Sequence, residues 1–163
     1  MENNFNDIID LVLINSAIWI SGPYGSGKSH LLNQLREFFM DENYEVRSFY
    51  VEGNETLVSF FNKITNPIIN INNPDQDFDL YLNRLLKIIR QNQKKGFVVI
   101  IDELGNLFGG KDHNQIDAIV RFIQLLAEFA LEHKDVFLII SSKDKIPREN
   151  LILLNRFHEI FLG

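Results

Sequence analysis

Ala17-Ile18-Trp19-Ile20-Ser21 runs directly into Gly22-Pro23-Tyr24-Gly25-Ser26-Gly27-Lys28-Ser29, and His30-Leu31-Leu32 follows. A short apolar run reads as a buried strand, the glycine-rich octet as a loop, and Leu31, Leu32, Leu35, Phe38 and Phe39 at helical spacing as a helix from Gly27 to about Met40. The octet fits G-x-x-x-x-G-K-[ST] in the setting that pattern requires, strand before and helix after. Glycines let the backbone curl so that successive N–H groups face one anion, and the positive end of the helix adds to the attraction. The candidate phosphate-contacting stretch is therefore Gly22, Pro23, Tyr24, Gly25, Ser26, Gly27, Lys28, Ser29 and His30. Lys28 would reach the β- and γ-phosphates and the Ser29 hydroxyl would coordinate Mg²⁺. The His30 ring itself is read as solvent-facing: the four histidines are scattered, without i, i+4 pairing.

Outward from this segment the chain alternates helix and strand. Residues 5–14 precede the first strand as a short helix. Val46–Val51 reads as a second strand and Asn54–Ile64 as a helix; Pro67–Pro74 has no clear pattern. Asn73-Pro74-Asp75 is a helix start, a capping side chain followed by proline and an acid in the first turn, and that helix continues to about Gln93 on Phe78, Leu82, Leu85 and Ile89. Phe97–Ile101 and Val136–Ile140 are continuous apolar runs of the kind covered on both faces in a parallel sheet. The helix Gln115–Glu132 is apolar except for one stripe of Asp117, Arg121, Gln124, Glu128 and Glu132. A short helix over Arg148–Asn155 and an edge strand over Glu159–Leu162 complete an α/β domain with a mainly parallel five-stranded sheet, whose ligand site is expected outside the carboxyl ends of the strands.

The third apolar strand ends in Asp102-Glu103. Behind a phosphate loop, Asp102 would hold Mg²⁺ through water, and Glu103 would orient and deprotonate an attacking water. A water-activating acid in that place favours hydrolysis over transfer to a small-molecule acceptor.

Composition narrows the classes further. At 163 residues, 45% hydrophobic and 23% charged, the chain suits one domain with one sizeable core. The net charge of −6 opposes a strong sequence-independent grip on nucleic acid, so any DNA contact is expected through an assembly rather than this domain alone. Cysteine is absent, which excludes disulfides, thiol catalysis and Cys-based zinc sites. The N-terminus MENNFNDIID is acidic, unlike the basic start of a signal peptide, and no apolar run nears the ~18 residues of a membrane span. The expectation is a cytoplasmic protein with no membrane partner. No guanine-specifying N-K-x-D occurs, which favours ATP.

GPYGSGKSHLL, one intervening strand, then IIDELG resembles the additional-strand catalytic-glutamate branch of P-loop ATPases, AAA+ proteins in particular. The resemblance implies a three-layer αβα P-loop NTPase core with strand order 5-1-4-3-2, ATP and Mg²⁺ as its ligands, and strand four lying between the loop and the acidic strand. Ser141-Ser142 at the end of that strand fit the sensor-1 position, where Ser142 would contact the γ-phosphate or the attacking water. Leu153–Ile160 is similar to the segment ending in Arg-Phe, which makes Arg156, with Arg148 as second choice, a candidate arginine finger acting in trans in a homo- or hetero-oligomer. WISGPYGSGKSHLL, DELGNLF and NRF are similar to DnaA-type initiators and DnaC-type helicase loaders; GPYGSGKSHLL, IDELG and QLLAE (Gln124–Glu128) also resemble BREX-type antiphage ATPases, and IDELG with QLLAE is the more particular combination. The chain reads as a single core domain, 1–163, without the helical lid of AAA+ proteins, so hydrolysis is expected to be slow without a partner. The alternative is a nucleotide-gated interaction module with little turnover, for which the apolar helix 115–132 allows a surface, although core packing against the sheet explains its apolar face equally well.

Overall fold

The computed structural model describes residues 4–65, 80, 82–84, 86–87, 90–146 and 155–163. In chain order the elements are α1 (Phe5–Asn15), β1 (Ala17–Ser21), α2 (Lys28–Asp41), β2 (Tyr44–Tyr50), α3 (Leu57–Thr65), β3 (Gly96–Asp102), a 3₁₀ turn (Leu104–Leu107), α4 (His113–Glu132), β4 (Val136–Ser142) and β5 (His158–Phe161). Helical residues also occur between 80 and 91. The expected helix start at Asn73-Pro74-Asp75, and the expected helix over Arg148–Asn155 up to residue 154, lie outside the described residues.

The strands form one sheet in the order β2-β3-β4-β1-β5, which is 5-1-4-3-2 read from the other edge, and every pairing is parallel. Three continuous apolar runs, in β1, β3 and β4, take the middle of the sheet because each is covered on both faces. Side chains alternate between the faces with period 2. On one face Trp19, Phe97, Val99, Ile101, Leu138 and Ile140 pack against α3, the 3₁₀ turn and α4. On the other, Ile18, Ile20, Val98, Ile100, Phe137 and Ile139 meet α1 and α2. Three layers result, with Phe39, Phe60, Phe97 and Phe122 among the fully buried side chains. Truncating one such phenylalanine to alanine would cost about 3–5 kcal/mol, a large part of a typical domain's stability.

Element ends differ from the sequence expectation where neighbours or caps decide them. β2 begins at Tyr44 rather than Val46, because Tyr44 and Glu45 pair with Gly96 and Phe97. α3 begins at Leu57, not Asn54, behind Thr56, whose hydroxyl accepts from Ser59 N–H at 3.1 Å. α4 begins two residues early at His113, because Asp112 and Gln115 close a reciprocal capping box: Asp112 Oδ1 accepts from Gln115 N–H at 2.8 Å and Gln115 Oε1 from Asp112 N–H at 3.0 Å. β5 starts at His158, paired with Ile18. Along α4 the exposed residues include Asp117, Arg121 and Glu132 from the expected polar stripe, while Gln124 and Glu128 are half-buried. Its apolar side, including Ile119, Phe122, Ile123 and Leu126, belongs to the core. Among the described residues no helix is long and apolar enough to cross a membrane.

Candidate nucleotide and metal site

The loop leaves β1 at Gly22, whose N–H donates to Ser142 O at 3.2 Å. A Cβ at Gly22 would stand 2.4 Å from Leu162 O and 2.7 Å from Ser26 Oγ, so the residue is glycine because the backbone beyond β5 passes against it. Gly25 and Gly27 have φ of +82° and +92°, left-handed values that turn the loop back onto α2. Gly27 caps α2, and Leu31 N–H donates to its carbonyl at 3.0 Å. The first residue of α2, Lys28, is only 4% exposed; its ammonium donates to Gly22 O and to Pro23 O, the latter at 3.3 Å, and lies 3.7 Å from Glu103 Oε1. Ser29 and His30 are exposed on the first turn, the latter as expected for a solvent-facing ring.

β3 delivers Asp102 as its last residue, beside the start of α2. Ser29 Oγ stands 3.4 Å from Asp102 Oδ2, and Ser141 Oγ donates to Asp102 Oδ1 at 2.5 Å. Ser141 Oγ also accepts from Glu103 N–H at 3.0 Å. One fully buried hydroxyl therefore ties both acids to the end of β4. Glu103, 7% exposed, has φ +59° and ψ +48°, a conformation that costs a non-glycine residue about 1–2 kcal/mol. That turn takes its carboxylate out of line with the strand and toward Lys28.

The pleat explains which serine meets the acids. Val98, Ile100 and Asp102 share one face of β3, and Phe137, Ile139 and Ser141 share the same face of β4. Ser142 turns to the other face, where its Oγ lies 2.9 Å from the place a Cβ on Gly105 would occupy. The structure thus brings Lys28, Ser29, Asp102, Glu103 and Ser141 together, with Ser142 attached through its backbone. Both serines end β4, and only the pleat assigns to Ser141 the hydroxyl that bridges the acids.

Other charged groups make contacts of their own. Arg156 Nη2 donates to Glu128 Oε1 at 2.9 Å within the same chain. That hydrogen bond outweighs partial burial and, with Gln124 and the charges of Arg156 and Arg121, holds the Glu128 carboxyl below the usual carboxylate range. Arg148 lies outside the described residues. Tyr24 is 74% exposed, its ring centre 5.8 Å from Lys28 Nζ and 5.5 Å from Lys143 Nζ. Beyond β2, Glu55 is buried and accepts from Lys63 Nζ and from Ser59 Oγ at 2.8 Å. Burial pushes its carboxyl up, but hydrogen bonds from Lys63 and Ser59, the Lys63 charge and a backbone hydrogen bond at Glu52 bring it below the usual range. No motif announces this pair, because its partners stand in a turn and on a helix with no diagnostic spacing.

The donor set fits a magnesium ion. Ser29 Oγ and Asp102 Oδ2 are hard oxygen donors that converge beside the phosphate loop, and among the described residues no cluster of three or more His, Cys, Asp or Glu side chains competes for a metal. Mg²⁺ is commonly held by one or two protein oxygens, with waters and substrate phosphates filling the rest of its shell.

A family model described as AAA domain matches residues 15–148. The chain belongs to this family. Among curated proteins no match is significant. This AAA domain is also similar in fold to solved structures. A chain in the structure of Drosophila ORC bound to AT-rich DNA and Cdc6 superposes with a TM-score of 0.62 at 16% identity, covering 97% of this chain and 52% of that one. The Aeropyrum pernix ORC1 protein in complex with DNA gives 0.61 at 14% identity, covering 98% and 44%. Cdc6p from Pyrobaculum aerophilum gives 0.54 at 16%, covering 93% and 42%. The AAA domain therefore spans about half or less of the chains it resembles. At such identities the likeness establishes the AAA+ P-loop fold, and family membership implies nucleotide binding.

Proposed function

We propose that the domain binds ATP with Mg²⁺ and hydrolyses it, and that it works within an oligomeric, DNA-associated assembly. The observation that carries the enzymatic reading is the single cluster in which Ser141 joins Asp102 to Glu103 while Ser29 and Lys28 face the two acids. The loop N–H groups and Lys28 would hold the phosphate tail. Ser29 and Asp102 would hold Mg²⁺, which when bound supplies charge to offset the β- and γ-phosphate oxygens. Glu103, turned out of the strand by its left-handed backbone, would take a proton from the attacking water. Ser142, on β4 between the loop and the acids, is the proposed sensor of the γ-phosphate. Arg156 would act on a neighbouring subunit after exchanging Glu128 for phosphate. Assembly on DNA is supported by the ORC and Cdc6 folds and by the phrases shared with initiators, helicase loaders and BREX-type ATPases; replication and defence are both compatible with these.

Nucleotide binding and phosphate release by the intact chain test the proposal. Lys28→Ala should abolish ATP binding. Glu103→Gln should keep ATP bound while lowering turnover by about 10²-fold or more, the scale of a general base. ATP affinity that survives Lys28→Ala, or turnover that survives Glu103→Gln, would sink the catalytic assignment, and lost turnover with unaltered biological function would favour a nucleotide-gated module instead.

A further inference from the structure

Lys143 is the first residue past β4, and β4 lies between the strand that feeds the phosphate loop and the strand that ends in the acids. The carbonyl of its neighbour Ser142 accepts from Gly22 N–H at 3.2 Å, and two residues back Ser141 bridges Asp102 and Glu103. Lys143 is thus rooted at the mouth of the site. Its ammonium lies 5.5 Å from the centre of the Tyr24 ring, and the same ring has Lys28 Nζ at 5.8 Å. One exposed aromatic at the loop tip therefore has the phosphate-loop lysine and a second lysine for neighbours.

Charge makes the second lysine consequential. Within the cluster Lys28 faces the Glu103 carboxylate, Asp102 stands beside Ser29, and Arg156 is engaged by Glu128. A triphosphate tail brings several more negative charges to the same place. Among the described residues no carboxylate pairs with Lys143, and it is exposed. A lysine on a flexible four-carbon stem can leave an exposed ring face for a phosphate oxygen, because charge-assisted hydrogen bonds are the stronger contact.

Resting on the nucleotide site described above, we propose that Lys143 is a second phosphate-binding lysine, acting from the same chain on the terminal phosphate of a bound nucleoside triphosphate, with Tyr24 holding it at the loop mouth. It contributes charge and hydrogen bonds; no proton or covalent bond passes through it. Its role distinguishes triphosphate from diphosphate, because the residue directly follows the strand whose end faces the acids.

Affinities of the full chain for ATP and ADP with Mg²⁺, measured by calorimetry, test this directly. Lys143→Ala should weaken ATP about tenfold while changing ADP by less than about twofold, the scale of one charge-assisted contact, and Lys143→Arg should restore most of the difference. Lys145→Ala is the control: Lys145 Nζ sits 4.5 Å from the Phe161 ring centre, and its removal should leave the ATP-to-ADP ratio unaltered. An unchanged ratio in Lys143→Ala, or an equal loss in Lys145→Ala, overturns the assignment. The nucleotide reading fails separately: if the unaltered chain binds neither nucleotide, both fall, whereas intact ADP binding beside an unchanged ratio removes Lys143 alone.

Discussion

Replacing Ser141 with alanine is the sharpest perturbation of this site, because one hydroxyl serves two partners. It donates to Asp102 Oδ1 at 2.5 Å and accepts from Glu103 N–H at 3.0 Å, with no exposure to solvent. A hydrogen bond to a charged group contributes about 1.5–3 kcal/mol, and a buried N–H left without an acceptor costs about 1–3 kcal/mol. Glu103 would also lose the contact that holds it at φ +59°. Allowing for relaxation, Ser141→Ala should lower unfolding free energy by about 2–4 kcal/mol, read as an earlier midpoint in urea at constant m-value. Turnover should fall about tenfold or more, because the acids lose their fixed placement, while ATP affinity changes little since Lys28 and the loop are untouched. Ser141→Thr separates the two effects. It keeps the hydroxyl but adds a methyl group to a closed site, so stability should still drop by about 1–3 kcal/mol with turnover well above that of the alanine variant. If Ser141→Ala unfolds within about 0.5 kcal/mol of the original chain and hydrolyses ATP at the same rate, the bridge has no energetic role and the reasoning fails.

Three further outcomes follow from other parts of the structure. Gly22→Ala places a Cβ 2.4 Å from Leu162 O, a backbone atom that cannot rotate away, so it should cost about 1–3 kcal/mol and weaken ATP; normal melting and affinity together would show that the backbone after β5 yields easily. Asp112→Ala removes the α4 capping box and should cost about 0.5–2 kcal/mol in urea unfolding with ATP affinity retained; a loss of affinity at unchanged stability would contradict a purely capping role. Glu55 is depressed by Lys63 and Ser59, so its stabilising contribution is complete above the ordinary carboxylate value of 4.5 and is lost as pH falls through its lower folded value. Lys63→Met removes the hydrogen bond and charge that offset burial most while Ser59 and the backbone hydrogen bond remain, so the depression, and with it the loss of stability on the acid side, should shrink; urea midpoints from neutral to acid pH that fall in parallel for both proteins would refute the pairing.

Much of the candidate site is local in sequence and for that reason legible without coordinates. A loop that needs glycines for its turns, a lysine and a serine at the first helical positions, and two acids at a strand end are each readable over a few residues. The apolar runs of β1, β3 and β4 likewise announce strands covered on both faces. Legibility fades where a property belongs to two distant segments. Val46–Val51 is only half apolar, so the start of β2 at Tyr44 depends on its pairing with β3. Ser141 and Ser142 are chemically identical neighbours, and the face each one takes is set by the register of β4 against β3.

By itself, then, the sequence determined the class of fold, the phosphate loop and the identity of the two acids, because short-range backbone demands and two-sided burial write themselves into adjacent residues. The tertiary structure alone decided that Ser141 bridges the acids, that Glu103 turns into the left-handed region, that Arg156 pairs with Glu128, and that Gly22 makes room for Leu162. Each of these joins residues far apart in the chain, and such contacts exist only once parallel pairing has set which side chains share a face and which backbones come within ångströms of one another.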